Sequence, residues 1–282
     1  MITAMIEPNF TAWRDKARCL LSQGVAPEEI DWCHSHEGRG LLAEEGASYR
    51  VSTSHSVKVS EELISLARQV CAHTDRRRFA ILYRLLYRLT LGGEKHLLSV
   101  PSDPDTRQCQ MWSKAVSRDI HKMHAFVRFK CVGIDSETER GQFVAWFEPM
   151  FGIVQLATPF FEKRFAGMDW SILTPVECAH WDGTRLTFTP GVSRREVPAA
   201  DAQDELWRTY YRSIFNPARV KVKAMQSEMP IKYWKNLPEA ELIPSLLGQS
   251  GARVQKMIDS PERPVKPEPA NSYLKSLKNR VR

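Results

Sequence analysis

Between Arg118 and Phe129 the spacing of the apolar residues changes, and that change limits what the chain can fold into. Upstream, Met111, Trp112, Ala115, Val116, Ile120 and Met123 recur at helical intervals after Asp103-Pro104, an N-cap followed by a first-turn proline. Downstream, Phe126, Arg128 and Lys130 alternate with Val127, Phe129 and Cys131 from Ala125 to Cys131, the period-2 pattern of a half-buried strand with one basic face. The stretch therefore reads as the last turn of a long helix passing directly into a strand. It concentrates Arg118, Asp119, His121, Lys122, His124 and Arg128 at that junction.

The flanking sequence supplies the rest of the architecture. Helices are predicted over 9–23, closed by Gly24, over 59–72, and from a Thr74-Asp75 cap to Leu89 with a Gly92-Gly93 stop. Pro27–Trp32 reads as a short element, His34 and His36 as an exposed loop pair, and Tyr49–Thr53 as a short strand. Gln142–Phe147 pairs with the strand before it as a hairpin, 153–167 is helical, and 170–174 and 185–189 are strands around a Trp181–Thr184 turn. Helices follow over 203–215 and 217–227. The expected fold class is α+β, a helix-rich domain around a small antiparallel sheet of about four strands rather than a βαβ fold. Its parts are an N-terminal helical segment, 1–50, packing on a main domain, 51–257, and a Pro- and Lys-rich disordered linker or tail, 258–282.

Charge is distributed unevenly. Of a formal net charge of +7, the segment Trp207–Leu237 carries nearly all: seven basic residues (Arg208, Arg212, Arg219, Lys221, Lys223, Lys232 and Lys235) stand against the single acid Glu228. Six aromatics, Trp207, Tyr210, Tyr211, Phe215, Tyr233 and Trp234, are interleaved with them. Cations follow a phosphate backbone and aromatic faces stack on exposed bases, so this composition suits a nucleic-acid binder. The alternative is that the aromatics face a core and the lysines face solvent. Arg77, Arg84 and Arg88 fall near one another on one helix, available for phosphate or for neighbouring carboxylates.

His121 and His124, three apart on a helix, share a face with Arg118 one turn earlier. Three roles suit them: contact with the last carbonyls of the helix, contact with phosphate or base, or acid–base and metal chemistry with Asp119, Glu148, Asp169 or Asp182. The six cysteines form no C-x-x-C pair, and phosphate-loop, G-x-G-x-x-G, H-E-x-x-H and nucleophile-elbow signatures are absent. No cofactor and no metal are predicted. No apolar run is long enough to cross a bilayer and the N-terminus lacks signal-peptide features, so a cytoplasmic protein with no membrane association is expected.

The blocks Tyr83–Leu89, Arg118–Phe129, Trp146-Phe-Glu-Pro149, Trp170–Pro175, Trp207–Tyr211, Phe215–Arg219 and Tyr233–Ala240 together resemble a bacterial family of unknown function described as a probable DNA-metabolism protein. The resemblance implies context: such proteins stand beside a radical SAM protein of DNA repair, or form the N-terminal half of a chain ending in a uracil-DNA glycosylase family domain. The Phe-x-x-Trp-Arg-x-x-Ala-Arg pattern from Phe10 resembles the fused form, although no glycosylase domain is expected within these 282 residues. Met150-Phe151-Gly152 departs from the histidine-bearing turn expected in relatives.

The resulting expectation is a DNA-binding accessory module of base-damage repair or base modification, partnered by a glycosylase-type domain or a radical SAM protein. Its DNA contacts would be Arg84, Arg88, Arg118, Lys122, Arg128, Arg208, Arg212, Arg219, Lys221, Lys223, Lys232, Tyr233, Trp234 and Lys235. The competing expectations are an enzyme acting on DNA through His121, His124 and Asp119, and a protein-interaction scaffold.

Overall fold

The computed structural model describes residues 1–34, 58–134, 140–196, 208–209, 211–212, 215–216 and 221–259. Strand β1 (Ile2–Ile6) runs through helix α1 (Phe10–Ser22) to strand β2 (Ile30–His34), and the two strands pair in parallel from Ile2↔Ile30 to Ile6↔His34. The Asn9 side chain caps α1 by accepting from the Ala12 N–H at 2.8 Å. At the other end Gly24 takes φ 70°, and the Gly24 and Val25 amides bond back to the Leu21 and Leu20 carbonyls, a Schellman closure that favours glycine at this position.

Helices α2 (Glu61–Ala72) and α3 (Arg78–Thr90) pack with this unit. Trp13, Leu20, Leu63, Val70, Phe79, Leu82, Tyr83 and Leu85 are buried together. The polar ends of the large aromatics are satisfied by distant backbone, Trp13 Nε1 donating to the Phe79 carbonyl at 3.2 Å and the Tyr83 hydroxyl to that of Val25 at 2.8 Å.

Helix α4 (Pro104–Phe126) joins this core to a second one. Its Cys109 and Trp112 lie in the first, while Val116 and Met123 lie in a second with Phe147, Phe161, Trp170 and Ile172. The Asp103 carboxylate caps α4 by accepting from the Thr106 N–H at 2.9 Å, as its position before Pro104 predicts. Strands β3 (Lys130–Ile134), β4 (Gly141–Trp146), β5 (Asp169–Leu173), β6 (Glu177–Trp181) and β7 (Leu186–Pro190) form one sheet in that order, with helix α5 (Val154–Arg164) between β4 and β5.

The α+β, helix-rich class holds, with two corrections to the sheet. It has five strands, because Glu-Cys-Ala-His-Trp at 177–181 lacks the β-branched run that marks a strand and yet pairs on both sides. It is also mixed: α5 carries the chain back to the starting end, so β5 pairs with β4 in parallel, Gln142↔Asp169 to Trp146↔Leu173, while the other pairs are antiparallel. The predicted turn into β7 is present, with Gly183 at φ 89° and Asp182 Oδ1 accepting from the Thr184 and Arg185 amides. The helix–strand junction lies later than its sequence pattern indicates. Met123 and Val127 still share a helical hydrogen bond, so Arg128 and Phe129 form a link before β3 rather than part of a strand. The expected Tyr49–Thr53 strand, the tail 260–282 and most of the expected 203–215 helix lie outside the described residues.

Arg77, Arg84 and Arg88 are each ion-paired. Arg77 meets Asp75 at 2.8 Å, Arg84 Nε meets Asp105 at 2.8 Å, and Arg88 bridges Glu94 at 2.9 Å, Asp103 at 2.8 Å and Asp105 at 3.2 Å. For Asp103 burial alone would raise the carboxyl pKa, but the Arg88 guanidinium and the Thr106 amide outweigh it and hold it below its ordinary value. A group depressed in the folded state adds stability above its unfolded pKa, and that contribution is lost as pH falls through the folded value. Asp103→Asn, which keeps a capping oxygen, should lower unfolding free energy near neutral pH by about 1–2 kcal/mol and flatten its decline on acidification. Urea unfolding midpoints measured at a series of pH values check both effects.

Candidate nucleic-acid interface

Asp119 sits at the middle of the predicted site and is only 4% exposed. Its position three and four residues from Val116 and Met123 places it on the buried face of α4, where an ionised group must find donors. Oδ2 accepts from the Met150 amide at 2.7 Å and the Phe151 amide at 3.1 Å, and Oδ1 from the Tyr233 hydroxyl at 3.2 Å. The Met150-Phe151-Gly152 turn is thus fastened to α4 by its backbone, whatever side chains it carries. Asp119 has a structural task in place of the predicted catalytic one, being turned inward and surrounded by its own chain.

Tyr233 requires the same correction. It is 3% exposed, lies against Phe147 at 5.2 Å and 14° and against Phe126 at 5.5 Å and 30°, and so has no face to offer a base. Burial, with Asp119 beside it, pushes its phenol pKa up, keeping the hydroxyl a donor. Trp234 is half-buried, its indole N–H donating to the Met229 carbonyl at 2.9 Å. Together with Met225, Met229 and Leu237 these side chains seat the basic segment on the second core.

The two histidines separate. His124 is partly buried with Nε2 3.0 Å from the Ala157 carbonyl, stacked on Phe160 at 4.2 Å and edge-on to Phe161 at 5.5 Å. Burial lowers its pKa, partly offset by the carbonyl contact. His124 therefore fastens α4 to α5. His121 is exposed on the same helix. The acids considered as partners are engaged elsewhere: Glu148 with Lys235 at 2.8 Å and with Trp146 Nε1 at 2.9 Å, Asp169 with Arg140 at 2.6 Å, and Asp182 in its turn. Among the described residues no cluster of three or more His, Cys, Asp or Glu side chains is arranged to hold a metal ion.

The cations fall into two groups. In the first, Arg128 folds over the end of α4, donating to the Ala125 carbonyl at 2.8 Å and the Val127 carbonyl at 3.2 Å, and pairs with buried Glu239 at 2.8 Å. Lys122 donates to the Ser227 carbonyl at 3.3 Å and to that of Glu228, the end of the helix Val222–Glu228. Arg208 meets Glu241 at 3.2 Å. With Arg84, Arg88 and Lys235, these predicted phosphate contacts are occupied by carboxylates or carbonyls. In the second group, Arg118, Lys221, Lys223 and Lys232 are exposed and make no ion pair among the described residues, Lys232 lying 4.5 Å over the Tyr233 ring. Arg212 is exposed, and Arg219 lies outside the described residues. Sequence reasoning missed Glu239, the partner of Arg128. Its setting in the apolar run Leu237-Pro-Glu-Ala240, 3% exposed in the fold, was the available signal.

Removing the central carboxylate leaves three donors without their acceptor, the buried Tyr233 hydroxyl and two part-buried turn amides. Asp119→Ala should destabilise the chain by about 3 kcal/mol or more, and Tyr233→Phe, which deletes one donor, by about 1 kcal/mol. The double variant should cost less than the sum, a coupling that chemical denaturation of all four proteins measures.

Comparison with known families matches residues 76–239 to a domain of unknown function, DUF4130, a span that contains α3, α4, the whole five-stranded sheet and the basic segment through Glu239. No curated protein and no solved structure matches the chain. With more than half of its 282 residues inside that match, the chain belongs to the DUF4130 family.

Proposed function

We propose that the chain is a DNA-binding accessory module, gripping phosphate through the outer side of the segment Lys221–Lys235 and the neighbouring surface of α4. One observation carries this reading: the segment divides its own composition, burying Tyr233 and Leu237 while Lys221, Lys223 and Lys232 stay exposed. Lys122 holds the end of the helix Val222–Glu228 against α4, which also carries exposed Arg118. Among the described residues the nearby acids have partners, Glu239 in Arg128, Glu148 in Lys235, Glu241 in Arg208 and the exposed Glu228 in Lys122 at 3.7 Å, so the exposed cations are left for an anionic partner. On this reading the protein serves base-damage repair or base modification, working with a uracil-DNA glycosylase-type domain or a radical SAM repair protein, as its sequence resemblance implies. Binding rests on backbone charge rather than base stacking, because Tyr233 lies in the core and Trp234 is held by Met229.

Affinity for a short DNA should therefore fall steeply with salt, each neutralised phosphate adding about −0.7 to −0.9 to the log–log slope. Lys221→Ala, Lys223→Ala and Lys232→Ala combined should weaken binding to all sequences alike and make that slope shallower by about 2–3. Fluorescence anisotropy across a salt series measures it. Absence of binding at low salt, or an unchanged slope in the triple variant, defeats the proposal.

A further inference from the structure

On the other side of the turn fastened by Asp119 lies a cleft of about 700 Å³, between the N-terminal helices and the entrance to α5. That volume is in the range of sites for small ligands. Phe10, Phe151, Leu156 and Val176 give it apolar walls, and Arg14 and Arg68 give it positive charge. Both guanidiniums lie over the Phe10 ring, Arg68 at 5.3 Å and Arg14 at 5.9 Å from its centroid, so charge and aromatic surface are presented together. Arg68 is exposed and makes no ion pair among the described residues. Arg14 pairs with its neighbour Asp15 at 2.9 Å, a contact open to solvent on both sides and easily exchanged for another anion. Among the described lining residues the one acid is Glu177, which accepts from Gln155 Nε2 at 2.7 Å. The cleft is also lined by the first turns of α1 and α5, neither of which carries an acidic side chain.

We propose that this cleft binds a nucleotide, the phosphomonoester held by Arg68 and Arg14 beside Phe10 and the flat base lying against the apolar side chains of Phe151, Leu156 and Val176. Guanidinium forks match phosphate oxygens, and an apolar wall adds affinity for a heterocycle that inorganic phosphate lacks. The nucleotide is either free or the 5′-phosphorylated end of a strand. The site shares no residue with the Lys221–Lys235 surface, so the two proposals stand or fall separately.

Isothermal titration of the full chain with deoxyadenosine 5′-monophosphate, with inorganic phosphate, and with a short oligonucleotide bearing a 5′-phosphate or a 5′-hydroxyl tests this. The nucleotide should bind more tightly than phosphate, and Arg68→Ala should weaken it by about tenfold. Val176→Trp, at a rim position 75% exposed, should block the cleft without touching its charge. Lys221→Ala with Lys223→Ala should leave nucleotide binding unchanged. A preference for the 5′-phosphorylated over the 5′-hydroxyl oligonucleotide assigns the site to strand ends, and equal binding of the two oligonucleotides assigns it to free nucleotide. No binding of the nucleotide, affinity equal to that of phosphate, or binding indifferent to both Arg68→Ala and Val176→Trp overturns the proposal.

Discussion

A carboxylate buried without an ion pair among the described residues is stable only where donors surround it, and the fold supplies Asp119 with three from two distant parts of the chain. Two are backbone amides of the turn after β4, and the third is the hydroxyl of a tyrosine more than a hundred residues downstream. Each is an obligation on the geometry. The β4–α5 turn must approach α4 with its amides pointing inward, and the C-terminal segment must thread Tyr233 between Phe126 and Phe147. Satisfying one charge thereby fixes where the sheet, α4 and the basic segment meet.

The elements that sequence displayed well are those whose signal is local. The Asp103-Pro104 start of α4, the Gly24 end of α1 and the Asp182-Gly183 turn are each set by side-chain-to-backbone bonds or by a positive φ, and these are written within a few residues. The direction of β5 is not local. It depends on α5 returning the chain across the sheet, which no strand-length pattern records. The end of α4 is an intermediate case: Phe126, Arg128 and Lys130 alternate as a strand would, but the Arg128 guanidinium on the Ala125 and Val127 carbonyls closes the helix instead.

The site was legible in composition and misleading in detail for a single reason. Counting cations over Trp207–Leu237 finds a basic surface, yet the acids that neutralise part of it lie outside that window, at Glu148, Glu239 and Glu241. Aromatic residues carry the same ambiguity. Tyr233 was a candidate to stack on a base, and its hydroxyl partner on α4 makes it a core residue. Burial and pairing are properties of the fold, so among the described residues the exposed cations without an ion pair, Arg118, Lys221, Lys223 and Lys232, define the surface proposed to meet a polyanion.

The same carboxylate also gives the two proposed sites a common support. Through Tyr233 it anchors the segment bearing the exposed lysines, and through the Phe151 amide it sets the turn whose side chain walls the cleft beside Phe10. Oδ2 accepts from the Met150 and Phe151 amides and Oδ1 from the Tyr233 hydroxyl, so the turn and the segment share one carboxylate on α4. Were both proposed sites occupied, any coupling carried through this carboxylate would have to be reciprocal. The fold thus hangs the turn that walls the cleft and the segment that bears the exposed lysines on one buried carboxylate.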